Sequence, residues 1–371
     1  MRVVVVGGGY AGISCLIRLH GRFRECQRIL VDPGHLHIKR TRLQEIVRRP
    51  LEGLREPFVD LAARFGFRMR HGLVDCRPAS LAGYSREGRL PLGKRGLAFD
   101  FLVVATGSPD RTPPGRAADV ITVADTATPA GGKRLLAAAE KTRRGGPPLA
   151  IVGAGATGLQ YLFELLETGV PGPGLLLVDR GQRLLSGQPE AIRDYVAGRL
   201  ASAGVRVLSN TRMTSFRGGG RAGSLRVAGP GGRRAHDVSA VMFCPGSGGR
   251  RLRADPYGRV LVGRRTLPNV FSAGDAASWA ARGQDGRTAQ AAVRKGRHAA
   301  DNIRREVRGR MMQEFLTPNL GFFLSMGPRD AAGWVASPSR VVTGLPAAGL
   351  REAIETRYEL MLEGIDTFAA F

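Results

Sequence analysis

Short apolar runs, each closed by a glycine or an acidic residue, recur along this chain. Residues 3–6 are four consecutive valines, residues 29–31 lead to Asp32, and residues 101–104 and 149–152 repeat the pattern. Such runs are typical of parallel strands that are buried on both faces. Amphipathic stretches that we predict as helices separate them, so the pattern predicts an α/β fold built on parallel sheets.

The first apolar run leads into a glycine motif. The motif has the spacing G-x-G-x-x-G and consists of Gly7, Gly9, Tyr10, Ala11 and Gly12. At a strand-to-helix turn the first glycine allows the tight turn, the second leaves room for a pyrophosphate, and the third lets helix and strand approach closely. Asp32, twenty positions after Gly12, can accept hydrogen bonds from ribose hydroxyls. The segment therefore predicts a dinucleotide cradle.

The same motif occurs a second time. After the apolar run at residues 149–152 come Gly153, Gly155, Thr157 and Gly158. Asp179 closes a further apolar run, twenty-one positions after Gly158. The chain therefore contains an internal repeat of function, with two predicted dinucleotide cradles.

Further turns stand at the carboxyl ends of predicted strands, where ligands bind in open α/β sheets. They are Ala105-Thr106-Gly107, Gly246 and Gly274-Asp275. An aspartate at such a turn can hold a ligand hydroxyl while the next helix presents free N–H groups to a phosphate. We also predict cofactor contacts at Arg42, in a basic stretch, and at Val74, at the end of a predicted strand.

The segments between the motifs predict ordinary secondary structure. Residues 58–67, 131–142 and 192–204 predict helices, and residues 67–74 predict a strand. Residues 79–90 and 96–106 predict two strands of a hairpin, and residues 213–243 alternate as a three-stranded meander does.

The composition narrows the class of protein. With 371 residues, 43% of them hydrophobic, the chain can bury a sizeable core. No run approaches eighteen apolar residues, which predicts no membrane-spanning helix. Because Met1 leads directly into the first strand, we expect no signal peptide and a cytoplasmic location, with contact to the inner face of a membrane as an alternative. The four cysteines show neither C-x-x-C nor zinc-ligand spacing, so we predict no metal site.

The net charge is +25, and a positive field of this kind attracts polyanions. The cations, however, are spread along the whole chain, and only five of them are lysines. No nucleic-acid-binding motif and no aromatic platform accompanies the charge. We therefore expect no specific nucleic-acid partner.

Together these motifs resemble the two-dinucleotide flavoproteins that act on pyridine nucleotides, in particular the type II NADH dehydrogenases. The resemblance covers about residues 1–305 and is carried by both glycine motifs, Ala105-Thr106-Gly107, and residues 271–275 and 288–296. It implies a Rossmann-like FAD-binding domain of residues 1–112 and 250–305, with a Rossmann-like NAD(P)-binding domain of residues 113–249 inserted in it. Residues 306–371 would form a small α+β segment at an interface with a dimer partner, an acceptor or a membrane.

The resemblance also implies a hydride relay, from NADH or NADPH to FAD and on to a quinone or another small-molecule acceptor. In the family the helix that corresponds to Gln290 meets the flavin, and the quinone approaches beside it. Gln160 stands where the family usually carries a glutamate, and Arg294 where quinone-reducing relatives commonly carry a second glutamine. We predict Gln160, Gln290 and Arg294 as catalytic residues. Since no C-x-x-C follows the first cradle, disulfide-reductase chemistry is excluded.

The choice between the two nicotinamide nucleotides stays open. Asp179 favours NADH through a ribose contact, whereas Arg180 and Arg183 could accept a 2′-phosphate.

The last helix has an apolar face formed by Leu350, Ile354, Tyr358, Met361, Ile365 and Phe368. Its polar face is mainly acidic, whereas a helix that meets anionic lipid should be basic on that side. We therefore expect this helix to pack on the basic body of the protein or on a partner in a homodimer rather than on a membrane.

Three functions fit the sequence. The first is an FAD-dependent NAD(P)H dehydrogenase that reduces a quinone. The second, supported by Gln160, Arg294 and the acidic C-terminal helix, is a soluble flavoenzyme that oxidises or reduces a specialised metabolite. The third is an NADH-sensing, nucleic-acid-binding flavoprotein that resembles apoptosis-inducing factor.

Overall fold

The computed structural model of the protein describes residues 1–115, 120–218, 222–246, 248–280, 282–283, 286–317 and 319–367. Helices and strands alternate through most of them, as the apolar pattern predicts.

Residues 1–115 contain the first part of the fold. The strands are β1 (Arg2–Val6), β2 (Gln27–Asp32), β3 (Leu36–Ile38), β4 (Arg55–Pro57), β5 (Arg68–His71), β6 (Arg89–Leu90), β7 (Leu97–Ala98) and β8 (Phe101–Val104). The helices are α1 (Tyr10–Arg22), α2 (Phe58–Phe65) and α3 (Pro78–Glu87), with 3₁₀ turns at Leu43–Val47 and Leu51–Leu54.

Residues 120–246 contain the second part. The strands are β9 (Ile121–Thr122), β10 (Leu149–Val152), β11 (Leu175–Val178), β12 (Arg206–Leu208), β13 (Arg212–Arg217), β14 (Gly223–Gly229), β15 (Gly232–Val238) and β16 (Ala240–Phe243). The helices are α4 (Val123–Thr126), α5 (Pro129–Arg143), α6 (Ala156–Glu167) and α7 (Glu190–Ser202), with a 3₁₀ turn at Gly172–Gly174.

The remaining residues complete the first unit and add a third. The strands are β17 (Leu252–Ala254), β18 (Arg259–Val262), β19 (Arg265–Ser272), β20 (Ala277–Trp279), β21 (Arg282–Gly283), β22 (Leu316–Thr317), β23 (Gly321–Ser325), β24 (Ala331–Val335) and β25 (Val341–Thr343). The helices are α8 (Ala289–Val307) and α9 (Gly344–Leu362), with a 3₁₀ turn at Gly274–Ala276.

An eight-stranded sheet joins the first and third stretches of the chain, in the order β20-β17-β18-β19-β8-β1-β2-β5. Strand β1 pairs in parallel with β2 and β8, and β8 pairs in parallel with β19. The four valines of β1 are 0 to 4% exposed, as a run of β-branched residues at the centre of a parallel sheet requires. Because β8 and β17 to β20 belong to the same sheet, the chain between β8 and β17 is inserted into this sheet's unit.

The inserted unit has its own parallel sheet, in the order β12-β11-β10-β16-β9. Strand β10 lies between β11 and β16 and is buried along its whole length. Strands β13, β14 and β15 form an antiparallel meander that ends at Val238. This confirms the predicted three-stranded meander, whereas its last predicted residues form β16 of the parallel sheet. The chain is thus an α/β protein with two Rossmann-like units, the second inserted in the first, and a small α+β unit made of β23 to β25 and α9.

The prediction of a strand at residues 79–90 is wrong. Most of this stretch is α3, and β6 pairs only with the two residues of β7. Pro78 occupies the first turn of α3, where its missing N–H costs no hydrogen bond, and Gly88 ends the helix in the left-handed region with φ +62°. Pro78 and Gly88 therefore set the start and the end of a helix, although the alternation of small and polar residues between them suggests a strand.

The acidic face of α9 packs on the basic stretch between β3 and the 3₁₀ turn Leu43–Val47. Glu352 lies 2.8 Å from Arg42, and Glu359 lies 3.6 Å from Lys39. This confirms the prediction that the helix packs on the basic body of the protein. Tyr358 and Met361 of its apolar face are buried. Leu350, Ile354 and Ile365 are 42 to 55% exposed, and Phe368 lies outside the described residues.

Glu45 is the centre of a buried ionic cluster that links α9 to this stretch. Its carboxylate is fully buried and lies 3.0 to 3.6 Å from the guanidinium groups of Arg42, Arg48, Arg49 and Arg351. Arg48 in turn binds Glu164 of the inserted unit, at 2.7 Å. The Glu45 carboxylate therefore pairs with arginines of the basic stretch and of α9, and Arg48 extends this network to the inserted unit.

We expect Glu45→Gln to lower the free energy of unfolding by about 3–5 kcal/mol, because removal of one partner leaves buried arginines uncompensated. Burial raises the pKa of Glu45, but the charges of Arg42 and Arg351 outweigh it, so the net pKa is lowered. The ionised carboxylate therefore stabilises the fold fully at pH values above the ordinary glutamate pKa of about 4.3. This stabilisation is lost as the pH falls through the lowered pKa of Glu45 in the folded protein.

Urea unfolding measures this difference. Glu52→Gln is the matched control, since Glu52 is exposed and pairs with Arg55 at 3.1 Å, a surface contact worth at most about 1 kcal/mol. Equal unfolding midpoints for the two variants would contradict the role of Glu45.

Candidate cofactor and acceptor sites

The first glycine motif forms the strand-to-helix turn that its spacing predicts. Gly7 has φ +103°, and a Cβ built on it would lie 2.5 Å from the carbonyl oxygen of Ala105. A Cβ on Gly12 would lie 1.9 Å from the carbonyl oxygen of Gly7. The turn therefore requires glycine at both positions, and it brings the Ala105-Thr106-Gly107 turn directly against the motif.

Gly9 is different, since a Cβ on it would meet no protein atom within 4 Å. Gly9 is the N-cap of α1, with φ −75° and no side-chain cap. The first N–H groups of α1 therefore face open space at the positive end of the helix, an arrangement that suits a phosphate. Glycine at this position is not required by contacts within the protein. It keeps the space in front of the helix open for a ligand, as a pyrophosphate cradle needs.

Asp32 ends β2 beside this cradle. Its two carboxylate oxygens accept the backbone N–H groups of Gly8 and Gly34, both at 2.7 Å. Each carboxylate oxygen has a second lone pair, so both can still accept a ligand hydroxyl. The backbone contacts fix the orientation of the carboxylate, and the group fits the predicted ribose contact.

Tyr10, Ala11 and the Gly274-Asp275 turn close the other side of the cradle. Gly274 follows β19 with φ +64°, and a Cβ on it would lie 2.9 Å from the Cβ of Ala11. Arg251 Nε donates to the carbonyl oxygen of Asp275 at 3.1 Å. The structure thus brings together residues from three turns that are far apart in the sequence.

The second cradle repeats the geometry of the first. Gly153 has φ +110°, and a Cβ on it would lie 2.2 Å from the carbonyl oxygen of Cys244. A Cβ on Gly158 would lie 1.9 Å from the carbonyl oxygen of Gly153. Gly155 is the N-cap of α6 with φ −76°, and a Cβ on it would again meet nothing within 4 Å. Asp179 accepts from the backbone N–H groups of Ala154 and Gly181 at 3.0 and 2.8 Å, as Asp32 does in the first copy.

The surroundings of the second cradle are polar and basic. Thr157 is exposed on the first turn of α6, and Gln160 is half-buried one turn further. Gly246, with φ +80°, follows β16 next to the carbonyl that packs on Gly153. Beside Asp179 lies an open cavity of about 330 Å³, which is lined by Arg180, Asn210, Arg212, Ala228 and Gly229.

Gln290 lies on the first turn of α8, where Thr288 Oγ1 accepts from Ala291 N at 3.1 Å. It lines a small cavity of about 60 Å³ between α1, α8 and α9, whose other walls are Tyr10, Thr41, Ala289, Val293, Ile354, Glu355, Arg357 and Tyr358. Arg294 lies one turn further along α8, and burial together with the charge of Arg357 lowers its pKa. Neither Arg294 nor Gln160 lines the cavity, so the structure does not bring the three predicted catalytic residues to one wall.

Two predicted cofactor contacts stand apart from the cradles. Arg42 is buried, and its guanidinium lies 2.8 Å from Glu352 and 3.2 Å from Glu45. Carboxylates surround the group and it anchors α9, and its cofactor contact stays a prediction. Val74 lies half-buried after β5 and packs against the core of the large sheet, and its cofactor contact stays a prediction.

Sequence reasoning missed a buried polar cluster below the cavity. His37 is fully buried, with Nδ1 2.9 Å from the carbonyl oxygen of Gly8 and Nε2 3.0 Å from the hydroxyl of Tyr358. Burial lowers the pKa of His37 to about 4. A neutral ring that donates from Nδ1 and accepts at Nε2 satisfies both contacts. No spacing rule joins residues 321 positions apart, so only the fold reveals this cluster.

Two cradles of the same geometry, each suited to a dinucleotide, indicate a class of protein, the two-dinucleotide oxidoreductases. Residues 1–296 match the family described as Pyridine nucleotide-disulphide oxidoreductase, and the chain belongs to this family. It is therefore an enzyme, an NAD(P)H-dependent flavoprotein oxidoreductase whose cofactors are FAD and NAD(P)H. The match confirms the family that the motifs suggest.

The chain is similar to particular proteins in sequence and in fold. The chain is 23% identical over 398 residues to a type II NADH:quinone oxidoreductase of Staphylococcus aureus, covering 98% of this chain and 96% of the relative. Its fold is similar to the sulfide:quinone oxidoreductase of Aquifex aeolicus, with TM-score 0.80, 15% identity and coverage of 100% and 93% of the two chains. It is also similar to NDH2 of Plasmodium falciparum in complex with NADH, with TM-score 0.76, 12% identity and coverage of 95% and 94%.

Other predictions concern metals, cysteines and membranes. Among the described residues no group of three or more histidine, cysteine, aspartate and glutamate side chains could hold a metal ion. Cys15, Cys26, Cys76 and Cys244 are free thiols. No helix within the described ranges is long and apolar enough to cross a membrane.

Proposed function

We propose that this protein transfers hydride from NAD(P)H to FAD and then reduces a quinone or a quinone-like acceptor. The observation that carries the proposal is the repetition of one cradle geometry in two units of the same chain. A relative named as an NADH:quinone oxidoreductase, aligned over nearly the whole chain, supports the acceptor class. When bound, FAD supplies the redox chemistry, and the protein supplies binding, orientation and electrostatics.

Residues 1–112 and 250–305 would hold FAD. The N–H groups at the start of α1 would bind the pyrophosphate over Gly9, and Asp32 would accept from the adenosine ribose. Gly7, Gly12 and Gly274 would keep the turns closed, and Asp275 would hold a ribitol hydroxyl. Ala105-Thr106-Gly107 would border the same site.

Residues 113–249 would hold NAD(P)H over Gly155, and Gln160 would position the nicotinamide with its amide. Asp179 suits the ribose hydroxyls of NADH. Arg180 and Arg212 at the neighbouring 330 Å³ cavity suit a 2′-phosphate, so we propose that NADPH is also accepted.

The 60 Å³ cavity at Gln290 would receive the acceptor. Its walls combine apolar side chains with an amide, a phenol and a carboxyl group, and small-molecule sites in general combine an apolar lining with a few polar groups that orient the ligand. Arg294 would add positive charge behind Gln290. Residues 306–371 would complete this wall, and a homodimer or a membrane contact through them stays a prediction.

Anaerobic stopped-flow reduction of the yellow protein tests the proposal. NADH and NADPH are mixed separately with the protein while the flavin absorbance is followed, and the reduced protein is then mixed with menadione, a naphthoquinone. We expect rapid bleaching with at least one nucleotide and rapid recovery of the colour with menadione. The ratio of the two bleaching rates identifies the preferred nucleotide.

Two results would contradict the proposal. If neither nucleotide bleaches the flavin, the second cradle does not deliver hydride. If bleaching is fast but no quinone restores the colour, the acceptor is of another class, and the metabolite-converting enzyme becomes the better function.

A further inference from the structure

A line of three hydrogen-bonded groups crosses from α9 to the wall of the Gln290 cavity. Thr41 Oγ1 lies 2.7 Å from Glu355 Oε2, and the hydroxyl of Tyr10 lies 2.8 Å from Thr41 Oγ1. All three side chains line the cavity. The groups come from α9, from the basic stretch after β3 and from the first turn of α1, so only the folded chain assembles them.

The aromatic cluster below the cavity holds the inner end of this line in place. The ring of Tyr10 lies 4.5 Å from the ring of Tyr358 and 5.3 Å from that of His37, measured between centroids. Tyr358 is fixed by its hydrogen bond to His37, which is in turn bound to the backbone of Gly8 in the first cradle. The Tyr10 hydroxyl therefore has a defined direction between the FAD cradle and the cavity.

The charges around Glu355 suit a proton donor. Burial raises the pKa of the Glu355 carboxyl, while the hydrogen bond from Thr41 and the charges of Arg351 and Arg42 lower it, and Glu45 raises it. The net pKa is above the usual range. Glu359 on the same helix and Arg357 on the cavity wall complete the charged surroundings. Burial, followed by the charge of Glu355, raises the pKa of Tyr10, so its phenol stays neutral and can pass a proton on.

We propose that Glu355, acting through Thr41 and Tyr10, delivers a proton to the acceptor that is reduced in this cavity. The proposal rests on the proposed function. Reduction of a quinone to a hydroquinone takes two electrons and two protons, of which hydride from NAD(P)H supplies two electrons and one proton. The second proton must come from the protein or from water, and this line of groups leads to the cavity from a carboxyl group that is itself partly exposed.

The transfer balances at each atom. In the carboxylate form of Glu355 the Thr41 hydroxyl donates to it, and in the acid form Glu355 donates to Thr41 Oγ1 while the Thr41 hydroxyl turns to the Tyr10 oxygen. From the acid form, the O–H bond of Glu355 breaks as Thr41 Oγ1 takes the proton, Thr41 gives its own proton to the Tyr10 oxygen, and Tyr10 gives its proton to the acceptor oxygen. Thr41 and Tyr10 end as they began, and Glu355 ends as a carboxylate that solvent reprotonates.

Three variants interrupt the line at different points: Glu355→Gln, Thr41→Val and Tyr10→Phe. General-acid catalysis contributes on the order of 100-fold or more, so we expect each variant to reduce menadione about 100-fold more slowly. Bleaching by NADH is expected to stay unchanged in Glu355→Gln and Thr41→Val, because neither residue belongs to a cradle. Glu363→Gln is the matched control, because Glu363 is exposed at the end of α9 and pairs only on the surface with Arg64.

Ferricyanide separates proton delivery from a structural effect, since it accepts electrons without taking a proton onto itself. We expect Glu355→Gln and Thr41→Val to reduce ferricyanide at the unmodified rate. Tyr10→Phe also changes the first cradle, so for this variant we compare the ratio of the menadione rate to the ferricyanide rate with that of the unmodified protein. Equal losses with both acceptors would overturn the proposal and assign the three residues a structural role, and unchanged menadione rates would overturn it as well.

Infrared titration gives a readout that does not depend on turnover. We expect a carboxylic-acid C=O band in the unmodified protein that persists above the ordinary glutamate pKa of about 4.3 and is weaker in Glu355→Gln. The menadione rate of the unmodified protein should fall as the pH rises through the same titration, because the acid form is the donor. Burial also raises the pKa of Glu164, so the assignment is contradicted only if Glu355→Gln removes no part of the band.

Failure of the proposed function gives a different result. If NADH does not bleach the flavin, dithionite reduces it instead, and the acceptor step and its dependence on Glu355 are measured on that protein. If a variant is isolated without flavin, the pH dependence of the unmodified protein with menadione and with ferricyanide decides the proposal.

Discussion

Gly9→Val is expected to yield folded protein that lacks flavin. A Cβ at Gly9 meets no protein atom within 4 Å, and the backbone has φ −75°, which valine adopts without strain. The side chain would instead fill the space in front of the first N–H groups of α1, where the FAD pyrophosphate is proposed to lie. We expect FAD affinity to fall by at least about 100-fold, equivalent to roughly 2.7 kcal/mol.

Absorbance of the purified protein and its circular dichroism test this prediction together. Gly21→Val is the matched control, because Gly21 lies on the same helix, is exposed and also has nothing within 4 Å of its Cβ position. It should stay yellow. Gly12→Ala should lose both colour and fold, since its Cβ would lie 1.9 Å from the carbonyl oxygen of Gly7. A yellow Gly9→Val protein would show that the cradle is misassigned.

The cradles could be predicted because their determinants are local. A buried strand, a turn with glycines at fixed positions and a helix follow one another within about a dozen residues, and close approach of Gly12 to Gly7 or of Gly158 to Gly153 requires nothing from elsewhere. Asp32 and Asp179 follow from the next strand of the same βαβ unit. The parallel pairing of β1 with β2, and of β10 with β11, then follows from the right-handed crossover.

The acceptor side could not be predicted in the same way. Tyr10, Thr41 and Glu355 meet across 31 and 314 positions of sequence, and no periodicity relates such residues. The sequence contained one indirect signal, the acidic face of the last helix opposite a basic stretch. That signal predicted where α9 packs, but not which carboxylate would bind Arg42 and which would reach the cavity.

Gly155→Val is expected to give the complementary result, a yellow protein whose flavin NADH and NADPH no longer reduce. Gly155 is the N-cap of α6 with φ −76°, and its Cβ position has nothing within 4 Å. The valine would occupy the space in front of the α6 N–H groups, in the inserted unit, and leave the first cradle unchanged. We expect at least about 100-fold weaker nucleotide binding and a matching loss in the bleaching rate at low nucleotide concentration.

Gly198→Val on α7 is the control for this variant, since Gly198 is exposed and its Cβ position is equally open. Dithionite reduces the flavin without a nucleotide, so a Gly155→Val protein reduced in this way should still pass electrons to menadione at the normal rate. Loss of flavin from Gly155→Val, or normal bleaching by NADH, would contradict the assignment of the two cradles. Because the two N-cap glycines have the same geometry and open surroundings, opposite effects on flavin and nucleotide can come only from the ligand that each cradle binds.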